Sequence, residues 1–191
     1  MEGDFARVAL PAADADLLRD TLIARDVHVV IEIGLAYGSS ALAIAEALCT
    51  SGVKDVQHII IDPFQADAYD NVGLDLLKDA DVADQSTFIG APSSLALPRL
   101  VTDRVTADAA FVDGSHRFHE VFVDLYFLRT LVRPGGLIIL DDVAWPSVAT
   151  ALRYFDLNLG WRPVEMGGRL TARELPDQPF EPEFSNFTRF G

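Results

Sequence analysis

The stretch Val29-Val30-Ile31-Glu32-Ile33-Gly34-Leu35-Ala36-Tyr37-Gly38-Ser39-Ser40 constrains this chain more than any other. Val29 to Ile33 is a largely β-branched run, the pattern of a short strand buried on both faces. Ala41, Ile44, Ala45 and Leu48 then recur at helical spacing, so the glycine-bearing loop between opens a helix. A strand, a glycine turn and a helix start form a cradle for a nucleotide cofactor, because backbone approaches a ligand closely where no Cβ intervenes. Gly34, Tyr37, Gly38, Ser39 and Ser40 are the candidate cradle residues. The loop reads E-x-G-x-x-x-G-x-S, whereas a dinucleotide turn would read G-x-G-x-x-G and seat a pyrophosphate on the helix. Glu32 at the strand end suits a ligand carrying an ammonium or sulfonium better than a pyrophosphate.

The same alternation continues along the chain. A helix is expected over residues 12–26, with strands at Val56–Ile61, Ser86–Ile89, Ala109–Val112 and Leu137–Leu140. Helices are expected at Tyr69–Val82, Pro92–Val101, Phe118–Val132 and Ser147–Leu157. Trp161–Met166 reads as a further strand, and Phe184–Phe190 as a last edge strand in a proline- and phenylalanine-rich tail. Strands alternating with helices predict a doubly wound, mostly parallel α/β sheet covered on both faces. We read 1–191 as one domain: an N-terminal helix in 1–26, a cofactor-binding core in 27–166 and a tail in 167–191.

Composition narrows the partners. Half of the 191 residues are apolar and 23% are charged, which is a globular balance. A net charge of −14 repels phosphate backbones and anionic membranes, so neither nucleic acid nor a membrane is the expected partner. The single cysteine, Cys49, reads as a small buried hydrophobe and fits the reducing cytoplasm. Residues 1–7 carry Glu2 and Asp4 and do not read as a signal peptide.

Acidic residues collect at the predicted strand ends: Glu32, Asp62, Asp113, Asp141 and Asp142. In an open α/β sheet ligands sit outside those ends. Asp62, 24 positions after Gly38, can accept both hydroxyls of a ribose or, more plainly, make a turn before Pro63. Gly90 and Ser94 follow the third strand, where an adenine would lie, although Ala91 weakens that signal. Asp113, Asp141 and Asp142 come from two strands expected to be neighbours. Three carboxylates without a basic partner repel one another unless a divalent cation joins them, and all-oxygen ligation suits Mg²⁺. His116 and His119 stand three apart in sequence. His116 reads as a general base; alternatively Asp113, His116 and His119 form a two-histidine, one-carboxylate iron site, or both histidines are solvated.

Taken together, Glu32-Ile33-Gly34 with Gly38, Ile61-Asp62, Asp113-Gly114-Ser115-His116, and Arg133-Pro134-Gly135-Gly136 before Asp141-Asp142 resemble class I S-adenosylmethionine-dependent methyltransferases. The resemblance runs from about Val27 to Met166. The D-G-x-H turn and the Asp pair are similar to a small-molecule branch that includes macrocin-type sugar O-methyltransferases. Catechol and caffeoyl-CoA O-methyltransferases have a comparable arrangement, with D-N at the pair. The resemblance implies a Rossmann-like seven-stranded sheet whose last strand is antiparallel. It implies Glu32 and Gly34 near the methionine part of S-adenosylmethionine, Asp62 on its ribose, and Mg²⁺ on Asp113, Asp141 and Asp142. His116 would serve as base, with Asp113 beside the reacting groups. The implied activity is methyl transfer to a hydroxyl of a small acceptor. A non-catalytic S-adenosylmethionine-binding module and a metal-dependent oxidoreductase are the rival readings. Two features depart from the branch. Few residues precede the first strand to make a lid, and no lysine follows the Asp113 turn. Loops, the tail or a second copy in a homodimer would then complete the acceptor pocket.

Overall fold

The computed structural model describes residues 7–178 and 181. Helix α1 (Ala12–Ala24) precedes β1 (Val29–Ile33), α2 (Ser39–Thr50) and β2 (Gln57–Ile61). Two short helices, α3 (Gln65–Ala68) and α4 (Val72–Asp79), lead to β3 (Ser86–Ile89), α5 (Ser93–Thr102) and β4 (Ala107–Val112). Then come α6 (Phe118–Leu131), β5 (Val132–Leu140), α7 (Pro146–Asn158), β6 (Arg162–Val164) and β7 (Thr171–Glu174). These strands form one seven-stranded sheet in the order β3-β2-β1-β4-β5-β7-β6. β1 to β5 pair in parallel, and β7 pairs antiparallel with both β5 and β6.

Strand periodicity distributes the core between two layers. Ile31, Ile33, Ala110, Val112, Ile138 and Leu140 face one side, against Leu97, Leu125, Leu128 and Phe155 of α5 to α7. Val30, Ala109, Phe111, Leu137 and Ile139 face the other, against Leu18, Leu22, Ile44 and Leu48 of α1 and α2. Central strands buried on both faces are mostly apolar, as a parallel sheet requires, with Glu32 of β1 and His58 of β2 buried among them. Asp108 ties the strand starts together: its Oδ2 accepts from the amides of His28 and Val29 at 2.9 Å, and its Oδ1 from Arg133 Nε at 2.7 Å.

Three expectations are corrected, and a fourth lies outside the described residues. The helix expected over Tyr69–Val82 runs over Val72–Asp79 only, because Asp70 and Asn71 before it take left-handed φ values of 49° and 61°. β5 starts at Val132 instead of the expected Leu137, so Pro134-Gly135-Gly136 lies within it, where its register against β4 shifts. The seventh strand is Thr171–Glu174; the edge strand expected at Phe184–Phe190 lies outside the described residues. Cys49 is exposed, on the polar side near the end of α2.

Gly34 is where the sheet comes closest to itself. It has φ +96°, and a Cβ there would meet the carbonyl oxygen of Asp113 at 2.4 Å. The clash is with backbone of the neighbouring β4, which cannot rotate away. Gly34→Ala is therefore expected to destabilise the protein by at least about 2 kcal/mol, from strain in a left-handed conformation together with the displaced loop. A urea melt would show it, and a midpoint equal to that of the wild type would contradict this packing.

Candidate functional site

The first residue beyond each central strand is still held by its neighbour. The amide of Gly34 donates to the carbonyl of Ile61 (2.9 Å), Asp62 to Ile89 (3.2 Å), Asp113 to Ile33 (2.9 Å) and Asp141 to Val112 (3.1 Å). The ladder thus fixes the acidic residues in one row above the sheet. Over that row lies a cavity of about 980 Å³, at the upper end of the size expected for a small-molecule site. Of the residues singled out in the sequence, Gly34, Asp62, Ser94, Asp113, His116 and Asp142 line it.

The other cradle residues hold the loop from behind. The sequence sets Glu32 against the ligand; the structure encloses it completely. Its Oε1 accepts from Ser40 Oγ at 2.5 Å and its Oε2 lies 2.9 Å from His58 Nε2. Ser39 Oγ accepts from the Leu10 amide at 2.8 Å. Tyr37 packs edge-on against Tyr69, with ring centroids 5.1 Å apart. Gly38, at φ +85°, starts α2 beside the backbone of Gly73, and Gly90 packs beside the Phe88 ring. These residues act on the cavity through the shape of the loop, which is why a motif reading assigns them to the ligand itself.

Asp62 makes the turn weighed for it and keeps one acceptor site open to the cavity. Its Oδ2 accepts from the amides of Leu35 and Ala36 and from Gln65 Nε2, each at 3.0 Å. Its Oδ1 accepts from the Phe64 amide at 2.7 Å, the turn before the helix. A carboxylate has about four lone-pair sites. Oδ2 is saturated, and Oδ1 retains room for one further donor from the cavity.

The neighbouring Asp141 and Asp142 point in different directions. Asp141 is buried; its Oδ2 accepts from Arg169 Nε at 2.9 Å and also from Nη2, and its Oδ1 from the Asp142 amide at 2.7 Å. Arg169 thus occupies the carboxylate that the sequence assigns to a cation. Asp142 takes φ 58°, which turns its side chain the other way. There its Oδ2 lies 2.8 Å from His116 Nε2, and one ligand atom each from Asp113, His116 and Asp142 falls within 4.8 Å of the others. The three carboxylates expected together do not converge: Asp141 is paired with Arg169, 28 positions away, while Asp113 and Asp142 gather with His116. The iron triad is not assembled either: His119 is exposed and turns to Glu120, 3.7 Å away. His116 is held in place from two sides. Trp145 stacks on its ring at 5.4 Å with planes 8° apart, and Ser147 Oγ donates to its carbonyl. Burial, then the charges of Asp141 and Asp142, hold the Asp113 carboxyl well above the ordinary carboxylate range. Such a group calls for a proton or a cation beside it.

Asp124 of α6 also lines the cavity, and the motif reading misses it. It is 2% exposed, and its Oδ1 has no hydrogen-bond partner among the described residues. A sequence signal existed: Asp124 falls on the apolar stripe of Val121, Leu125 and Leu128, where a carboxylate is out of place. Burial pushes its pKa up to about 7; Ser93 opposes that rise and Glu120 adds to it. An unfolded Asp ionises near 4, so the folded state holds the extra proton between about pH 4 and 7. Stability from this group is complete below pH 4 and is lost as pH rises through 7. Asp124→Asn is therefore expected to raise the melting temperature at pH 8 and to change it little at pH 4. Equal shifts at both pH values would contradict the assignment.

Comparison with known proteins agrees with this architecture. Residues 31–143 match the family described as Methyltransferase domain. A provisionally named caffeoyl-CoA O-methyltransferase of Arabidopsis thaliana is 32% identical over 75% of this chain and 58% of that protein. The caffeoyl-CoA O-methyltransferase of Stellaria longipes is 33% identical over 60% of this chain and 46% of that protein. The matches thus span only about half the length of these relatives. Among solved structures, the O-methyltransferase TomG of Streptomyces achromogenes with S-adenosylmethionine superposes with a TM-score of 0.72 and 22% identity, covering 92% of this chain and 85% of that one. An O-methyltransferase of Bacillus cereus with S-adenosylhomocysteine gives 0.71 at 15% identity, covering 87% and 83%. At those identities the likeness establishes the Rossmann-like fold. The match over more than half of the chain establishes the family, and this protein belongs to the methyltransferase-domain family.

Proposed function

We propose that this protein transfers a methyl group from S-adenosylmethionine to a hydroxyl of a small molecule, with a divalent cation at Asp113, His116 and Asp142. The observation that carries the reading is the convergence of those three ligand atoms within 4.8 Å, in the same cavity as Asp62 and the Gly34 loop. The names of the relatives support the reaction class. The donor supplies a methyl on a sulfonium; attack by the acceptor oxygen releases S-adenosylhomocysteine and the hydroxyl proton.

The residues fit the donor. Gly34 lines the cavity with bare backbone, and Asp62 Oδ1 has room for one ribose hydroxyl. Asp124 presents an unmatched acceptor in the same cavity. They also fit a cation. The two carboxylates need a positive partner, and a bound cation lowers the pKa of a hydroxyl it holds. Because the set includes an imidazole nitrogen, Mn²⁺ suits it as well as Mg²⁺. His116 then orients the acceptor as a ligand. Alignment of the oxygen with the methyl would supply most of the acceleration. The exposed ring of Trp145 beside His116 gives the acceptor a flat wall. We place the protein in the cytoplasm, where its one thiol stays reduced; among the described residues no helix is long and apolar enough to cross a membrane.

The 2.8 Å contact between His116 and Asp142 favours a second reading, in which Asp142 orients His116 as a metal-free general base. Formation of S-adenosylhomocysteine should be measured with phenolic acceptors, caffeoyl-CoA among them, and with sugar hydroxyls, in Mg²⁺, Mn²⁺ or a chelator. Turnover should fall about a hundredfold or more in the chelator and to a similar level in Asp142→Asn. Full turnover in chelator, lost in His116→Gln, would replace the metal with the base. Donor binding without turnover on any acceptor would reduce the protein to a binding module.

A further inference from the structure

We infer that Asp124 reads the purine of the donor, its Oδ1 accepting a hydrogen bond from the exocyclic amine of adenine. This rests on the donor reading above and names a specificity residue for it. Asp124 is almost wholly buried, yet it lines the cavity, and its Oδ1 has no partner among the described residues. An unmatched acceptor in such a place is expensive unless a ligand or water meets it. Ser93, the first residue of α5, lines the cavity together with Asp124. At pH 8 the Asp124 carboxyl is ionised and only accepts hydrogen bonds. The adenosyl group carries neutral donors in just two places, the ribose hydroxyls and the exocyclic amine. Asp62, at the end of β2, is the acceptor for the ribose. Asp124 stands with Ser93 and Ser94 on the side of α5 and α6, which leaves it the amine.

The loop after β3 supports the same assignment. Gly90-Ala91-Pro92 carries no side chain able to accept a hydrogen bond. Recognition of the amine therefore falls to a residue on the helix behind that loop. Glu120, one turn before Asp124, is the other carboxylate nearby, and it is occupied by Ser115 Oγ and by Arg117 Nη1 at 3.1 Å. Asp124 is the acceptor left over.

The test is calorimetric titration of the full chain with three ligands at pH 8, where Asp124 is ionised. These are S-adenosylhomocysteine, its 6-oxo analogue S-inosylhomocysteine, and the analogue bearing hydrogen at C6. Wild type should bind the adenosyl compound about tenfold or more tightly than either analogue, because each leaves Oδ1 unmatched. Asp124→Asn, whose amide can donate to an oxo group, should bring the adenosyl and inosyl affinities within about threefold of each other. Equal affinity of wild type for all three ligands would overturn the inference, and needs no variant to fold. So would a tenfold gap that survives in Asp124→Asn, since another group would then read the amine. Binding of none of the three by wild type would instead overturn the donor reading itself.

Discussion

The hydrogen-bond ladder of the parallel sheet runs one residue beyond each strand, and the site depends on that overrun. Gly34, Asp62, Asp113 and Asp141 each give their backbone amide to the last carbonyl region of a neighbouring strand. Each such bond is modest by itself, about 1 kcal/mol. Their effect is geometric. They bring four loop starts to one level, so the acidic side chains that follow share a cavity floor. Gly34 makes this possible, because any Cβ there would push the β1 loop off the Asp113 backbone.

With the backbone fixed, the division of work among the acids follows from their partners. Asp141 is neutralised by Arg169, Asp62 is mostly engaged by backbone amides, and Asp142 is turned outward by its left-handed backbone. Asp113 is left between them, in the field of two other carboxylates. A site with this much like charge holds together only with cations supplied from inside or outside. Arg169 is the inside cation. Asp113, His116 and Asp142 are where we propose the outside one.

How much of this was legible in the sequence differs by element. The β1 loop and the strand-end acids could be read directly, because a buried parallel strand ends where its apolar run ends. The break between α3 and α4 could have been read from Asp70-Asn71, residue types that tolerate left-handed backbone. β7 carried a period-two signal in Leu170 and Ala172, hidden by the charged residues between them. Arg169 carried no local signal at all. Its partner is 28 residues distant, and only the antiparallel return of β7 beside β5 brings them together. Glu32 is another case: its side chain is enclosed and supports the loop through Ser40 and His58, two partners that strand periodicity does not reveal.

The central claim is that the cavity over the strand ends is an adenosyl-donor site continuous with a cation site. The most direct measurement is a crystal structure of the protein with S-adenosylhomocysteine and Mn²⁺. The account predicts ribose density at Asp62 Oδ1, purine density beside Ser93 and Asp124, and an anomalous Mn²⁺ peak among Asp113, His116 and Asp142. Nucleoside density elsewhere, or an anomalous peak on Asp141 in place of Arg169, would contradict it.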